Sequence, residues 1–190
     1  MDTTRPSLLI RIRDPEDAAA WRDFDEIYRP MIYRFGKANG LSDADAEDVT
    51  QHCLAAISKR IAAFEYDPER GRFKGWLRTI VNNRVRNLWR KRREQTAATG
   101  QLEVQPDAGE APDAAFERIW MEEHLWHCLR GLRAELGERT YQAYVRYVID
   151  QDPPEEICAD LELSRGNLHT IKWRVTQRVA GKMQELLGAE

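Results

Sequence analysis

The chain has 190 residues, 42% of them hydrophobic and 32% charged, with a formal net charge of −3. That length allows one domain or two small ones, each able to bury a modest core. No stretch reaches the roughly 20 apolar residues that a membrane helix needs, and the polar N-terminus lacks a signal-peptide core, so a cytoplasmic location without membrane insertion is expected.

Nearly every segment repeats its apolar residues at helical spacing and no alternating strand pattern competes, so the expected fold class is all-α. Pro15, Glu16 and Asp17 open the first long helix, whose stripe is Trp21, Phe24, Tyr28, Met31, Ile32 and Phe35. Pro30 should bend or break it, since proline has no amide donor and crowds the preceding turn. Asn39 and Gly40 end it. Ser42 is the expected cap of the next helix, with Asp43, Asp45, Glu47 and Asp48 in the first turns, where carboxylates meet the positive end of the dipole. Ala46, Val49, Cys53, Ile57 and Ile61 form its buried side, which leaves Asp45, Asp48 and Gln51 facing elsewhere.

A turn over Asp67, Pro68, Glu69, Arg70 and Gly71 leads into the most informative segment. Between Arg70 and Arg93 stand ten Lys or Arg and no Asp or Glu, interleaved with Trp76, Asn82, Asn83, Asn87 and Trp89. Cations neutralise phosphates, flat rings stack on unpaired bases, and Asn carries the donor and acceptor pair that reads a base edge. A basic run alone suits a solvated tail equally well. Periodicity decides against the tail: Phe73, Leu77, Ile80, Val81, Val85 and Leu88 recur at three- and four-residue steps, the mark of a packed helix. Trp76, Thr79, Asn83, Arg86, Asn87 and Arg90 then share a displayed side, with Trp76 open to either base contact or partial burial.

From Glu94 to Ala115 the composition turns to Ala, Gly, Thr, Gln, Pro and acids, which reads as a flexible linker. The expected division is therefore 1–93, a linker over 94–115, and a second domain over 116–190. In the latter, Phe116, Ile119, Trp120, Leu125, Leu129 and Leu132 mark one helix and Tyr141, Tyr144, Val145 and Val148 another. A short helix over Pro153 to Leu161, a turn at Glu162 and Leu163, and Ser164 capping a long last helix have the spacing of a helix-turn-helix, which a generic helical hairpin shares. Leu168, Ile171, Val175 and Val179 pack inward in that helix and leave Arg165, His169, Lys172, Trp173 and Arg174 on or near the exposed surface, with Trp173 read as packing rather than base contact.

Three cysteines, Cys53, Cys128 and Cys158, lie far apart and outside any C-x-x-C pattern, so neither a disulfide framework nor a zinc ribbon is expected. His124, His127 and Cys128 share helical spacing without obvious further ligands and read as ordinary helix residues; no metal or cofactor is expected. The carboxylates from Asp43 to Asp48 fall on different sides of their helix, and no phosphate-binding glycine loop accompanies them, which argues against an enzyme.

The order of acidic helix, basic aromatic helix, linker and terminal helix-turn-helix resembles the extracytoplasmic-function class of bacterial sigma factors, two-domain proteins that keep regions two and four. The resemblance covers roughly Pro6 to Arg93 and Phe116 to Leu187. It is carried by the strings Asp43-Ala44-Asp45-Ala46-Glu47-Asp48-Val49-Thr50-Gln51 and Gly71-Arg72-Phe73-Lys74-Gly75-Trp76-Leu77-Arg78-Thr79-Ile80-Val81-Asn82-Asn83-Arg84, and by Glu155 to Arg174. It implies docking on core RNA polymerase through Asp45, Asp48 and Gln51, with Asp43 and Glu47 left to capping and solubility. It implies that the loop from Tyr66 to Lys74 and the next helix open the minus-ten promoter element and hold an unpaired base, with Trp76, Asn82, Asn83 and Arg86 as DNA contacts. It implies that the terminal domain reads the minus-thirty-five element through Arg165, Asn167, His169, Thr170, Lys172 and Arg174.

Two positions depart from the family pattern. Glu162 stands where such turns commonly have Gly, suggesting a slightly different turn, and His169 stands where Lys or Arg is frequent. The resemblance also leaves room for a sequestering anti-sigma partner beside polymerase and promoter DNA. The rival reading is a helix-turn-helix regulator that binds duplex DNA without touching polymerase, which leaves Trp76 and the paired Asn residues without a task.

Overall fold

The computed structural model describes residues 6–64, 73–99 and 111–187, and every regular element among them is helical. In chain order these are α1 (Pro6–Arg11), α2 (Ala18–Ala38), α3 (Asp43–Arg60) with a 3₁₀ turn at Ile61–Ala63, α4 (Phe73–Thr99), α5 (Pro112–Leu136), α6 (Glu138–Tyr144) running into a π-helical turn at Val145–Ile149, α7 (Pro154–Asp160) and α8 (Arg165–Leu187). The all-α expectation holds. The turn expected over residues 67–71 lies outside the described residues, as do residues 66–72 of the loop expected from Tyr66 to Lys74, whose Phe73 and Lys74 instead open α4, and residues 100–110 of the expected linker.

Asp17 caps α2, its carboxylate accepting the Ala20 amide at 2.9 Å while the Arg11 guanidinium forks onto both oxygens at 2.9 Å. Of the bend or break expected at Pro30, the break does not occur: α2 continues through it from Ala18 to Ala38. Ile27 and Tyr28 before the proline and Met31 and Ile32 after it are all essentially inaccessible. Each such side chain contributes about 1.5–3 kcal/mol on burial, so together they outweigh the roughly 3 kcal/mol that an interior proline costs. The helix ends as the sequence indicates, with Asn39 as its C-cap and Gly40 at φ 79°. Ser42 then caps α3, its hydroxyl accepting the Asp45 amide at 3.2 Å. Gly36 lets α3 approach: a Cβ there would sit 3.2 Å from that of Ala46.

The chain divides into two compact units, Met1–Glu123 and His124–Glu190. The first has an aromatic core in which Tyr28 lies 4.4 Å from Phe24 and 5.2 Å from Phe73 between ring centroids. Phe116 and Trp120 of α5 complete it, Phe116 at 5.6 Å from Phe35 and Trp120 at 5.8 Å from Tyr28. Ion pairs border that contact: Arg34 holds Glu122 at 2.6 Å and also bonds Glu123, and Lys74 holds Glu117 at 2.5 Å. These compact units therefore divide inside α5, after residue 123. Residues 94–99 continue α4, and 112–115 already belong to α5. A stripe of Phe, Ile and Trp announces a buried face but does not say which core receives it.

In the second unit, Leu129, Leu132, Tyr144, Ile157, Leu168, Val175, Val179 and Leu186 are buried. α7 and α8 are joined through residues 161–164, and the Ser164 hydroxyl accepts the Asn167 amide at 3.1 Å. Glu162 adopts a positive φ in this turn. Its φ of 51° is the left-handed conformation a glycine would take. Arg139 of α6 secures this turn, donating to the Leu161 carbonyl at 2.7 Å and to the Glu162 carbonyl. Arg139→Ala should lower the stability of this unit by about 1–2 kcal/mol, the scale of lost charge-assisted bonds at an exposed site. Glu162→Gly should return up to about 1 kcal/mol by relieving the left-handed strain. Thermal melts of both single variants and the double variant, followed by circular dichroism, check the pair of values.

Candidate nucleic-acid interface

Between α3 and α4 runs a groove of about 600 Å³ lined by His52, Cys53, Ala56, Arg60, Trp76, Thr79, Ile80, Asn83, Arg84, Arg86 and Asn87. Its α4 wall is the displayed side that helical periodicity indicated. Trp76 is half-buried, its ring 4.8 Å from Phe64 and 5.7 Å from Phe73, so aromatic packing fixes one edge while the remainder lines the groove. Asn83 and Arg86 are exposed beside it. Asn82 is not part of this surface. It is half-buried and does not line the groove, lying on α4 beyond the edge that Thr79 and Arg86 form.

The opposite wall was not anticipated. His52, Ala56 and Arg60 form a row at four-residue spacing along α3 and face α4 across the groove. That spacing is present in the sequence, on the helix whose carboxylates are the stronger signal. Four of the lining residues, Arg60, Arg84, Arg86 and a protonated His52, can carry positive charge towards a phosphate chain, with an indole face and two amides between them.

The acidic residues of α3 divide by partner. Asp43 accepts the Tyr33 hydroxyl at 2.9 Å and pairs with Lys37 at 2.7 Å, and Glu47 pairs with Arg29 at 3.1 Å, so these two tie α3 to α2. Asp45 and Asp48 reach the other way. Asp45 is half-buried and pairs with Arg92, while Asp48 is exposed and lies 3.2 Å from Arg84 and 3.3 Å from His52. The Ser42 hydroxyl and Arg92 hold the Asp45 carboxyl below the usual carboxylate range. Whatever this pairing contributes is therefore present at neutral pH and is lost as pH falls through the depressed value. Gln51, also exposed, donates to Glu47 at 3.2 Å.

In the second unit α8 exposes Arg165, Asn167, His169, Thr170, Lys172 and Arg174, all six of the residues singled out there. Their freedom differs. Arg165 pairs with Glu155, the Thr170 hydroxyl donates back to the Gly166 carbonyl at 3.0 Å, and Lys172 lies 5.3 Å from the centre of the Tyr147 ring. His169 meets the same ring edge-on at 5.8 Å. Trp173 lies on the exposed surface, as its spacing indicates, and at 68% exposure it does not serve the packing role read for it. The His124 and Cys128 side chains are buried in the second unit, and among the described residues no group of three or more His, Cys, Asp and Glu is placed to hold a metal ion.

Residues 24–95 match the sigma-70 region 2 family. Over that span the chain is similar to region 2 of sigma-70 factors. The matched span begins at Phe24 in α2 and covers α3 and all but the end of α4, so the groove and the acidic residues both lie within it. Among solved structures, the sigma factor RpoE of Bartonella quintana, determined in complex with the anti-sigma factor NepR, is 22% identical over 89% of this chain and 97% of that chain, with a TM-score of 0.36. No curated protein sequence matches the chain. Among the described residues no helix is long and apolar enough to cross a membrane.

Proposed function

We propose that this chain is a sigma factor of the extracytoplasmic-function class that works in the cytoplasm, with region two within 1–93 and region four within 116–190. It docks on core RNA polymerase through Asp45, Asp48 and Gln51. It holds an unpaired base of the minus-ten element in the groove between α3 and α4, and reads the minus-thirty-five element as duplex with α8, used as the recognition helix of a helix-turn-helix. A sequestering anti-sigma protein is a further partner. The chain performs no reaction of its own, and strand opening serves the polymerase. Burial pushes the Cys53 thiol up to about 12 and that of Cys128 up to about 11, so neither supplies a thiolate nucleophile at neutral pH.

The convergence of Trp76, Asn83 and Arg86 on one cationic groove carries this reading. Drawing a base out of the stack costs a few kcal/mol, which a protein must recover from contacts that exist only with the opened strand. An indole edge, two amides and several cations supply such contacts, and a smooth basic face would not. Asn82, off the groove, is assigned to the flanking backbone.

Trp76→Ala in the holoenzyme should lower promoter opening by about tenfold, within the 1–3 kcal/mol that a stacked base is worth. Asn82→Ala should do less. Permanganate reactivity of promoter thymines measures the open strand, and unchanged reactivity in Trp76→Ala and Arg86→Ala would refute the groove assignment.

A further inference from the structure

Trp173 is the large apolar side chain that α8 leaves in water, although burial is what a tryptophan ordinarily gains from folding. The buried residues Leu168, Ile171, Val175 and Val179 define the inner side of α8. At 100° per residue, Trp173 lies within about 25° of the direction opposite to them. Gly166 and Thr170 precede it on that outward side. A Cβ at Gly166 would meet only the Ser164 hydroxyl, at 3.9 Å, so the surface there is open. Thr170 spends its hydroxyl on the Gly166 carbonyl at 3.0 Å, so its methyl is what remains for a partner.

The surroundings select the partner's chemistry. Arg165, Lys172 and Arg174 are exposed around the indole, and the sequence has no carboxylate from Arg165 to Gln184. An apolar ring among cations suits a surface that presents methyl groups between phosphates. The major groove of duplex DNA does so wherever a thymine places its C5 methyl there. We propose that Trp173, with the methyl of Thr170, reads a thymine methyl in the duplex element that α8 contacts. The inference rests on the reading of α8 as a recognition helix. In such a helix the outward positions of the first three turns face the base pairs, here Gly166, His169, Thr170 and Trp173 with Arg165 to one side, and the missing side chain at Gly166 allows close approach.

The test uses the full chain with core RNA polymerase on a promoter that the holoenzyme transcribes, each thymine of the upstream element being replaced singly by deoxyuridine. One replacement should lower wild-type occupancy about fourfold, the worth of one methyl removed from water. Trp173→Ala should bind the unmodified promoter about tenfold more weakly, as for a lost base contact, and be indifferent to that replacement. Trp173→Phe should keep the sensitivity. Wild-type occupancy in Trp173→Ala, or retained sensitivity to the replacement, would overturn the inference, as would weakened capture of polymerase without DNA. Arg165→Ala and Arg174→Ala separate the two levels. If they too leave the upstream footprint unchanged, the recognition-helix reading fails; if they weaken it while Trp173→Ala does not, only the thymine contact fails.

Discussion

Phe116→Ala is expected to destabilise the first unit by about 3–5 kcal/mol, the cost of removing a fully enclosed aromatic side chain. The residue follows the polar stretch expected to separate two domains, and by that division its loss would leave the first one intact. The structure places it at zero exposure, 5.6 Å from Phe35 and 6.0 Å from Trp120. Domains of this size retain only about 5–15 kcal/mol, so the change removes a large part of the reserve. Amide exchange in the full chain distinguishes the alternatives: exchange in α2 should accelerate while that of α8 stays protected. Faster exchange in α8 with α2 unaffected would move Phe116 back to the second unit. Leu132→Ala, also at zero exposure but in the second unit, is the matching control.

This expectation marks the limit of what the sequence makes legible. Local signals carry far. Ser42 and Ser164 cap the helices they were expected to cap, and the inner residues of α3 and α8 follow from apolar spacing alone, because a cap or a stripe is decided within a few residues. The side of α4 that lines the groove is legible for the same reason. What spacing does not encode is the identity of the surface across from a stripe. Hence the partner of Phe116 and Trp120 and the His52 and Arg60 wall emerge only in three dimensions. Pro30 shows the same limit from another side, since local chemistry favours a break and tertiary burial of four neighbours overrides it.

The role of α3 gives the sharpest test of the polymerase reading. Asp48→Arg is expected to weaken capture of core polymerase by about a hundredfold, since reversing a charge within an interface turns attraction into a repulsion worth several kcal/mol. The same change also breaks the 3.2 Å pair with Arg84 and sets two cations side by side. Magnitude separates these effects. Asp48 is exposed, and such a pair contributes about 0–1 kcal/mol, too little for its loss to unfold the unit or to account for a hundredfold change in binding. The weakness of the pair also means that Asp48 can leave Arg84 for a cationic partner at little cost. Adding Arg84→Asp to Asp48→Arg restores an internal pair of inverted sense. The double variant should melt like the wild type and still fail to capture polymerase in a pull-down with purified core enzyme. Recovery of capture would show that Asp48 serves to hold Arg84 and that polymerase docks elsewhere.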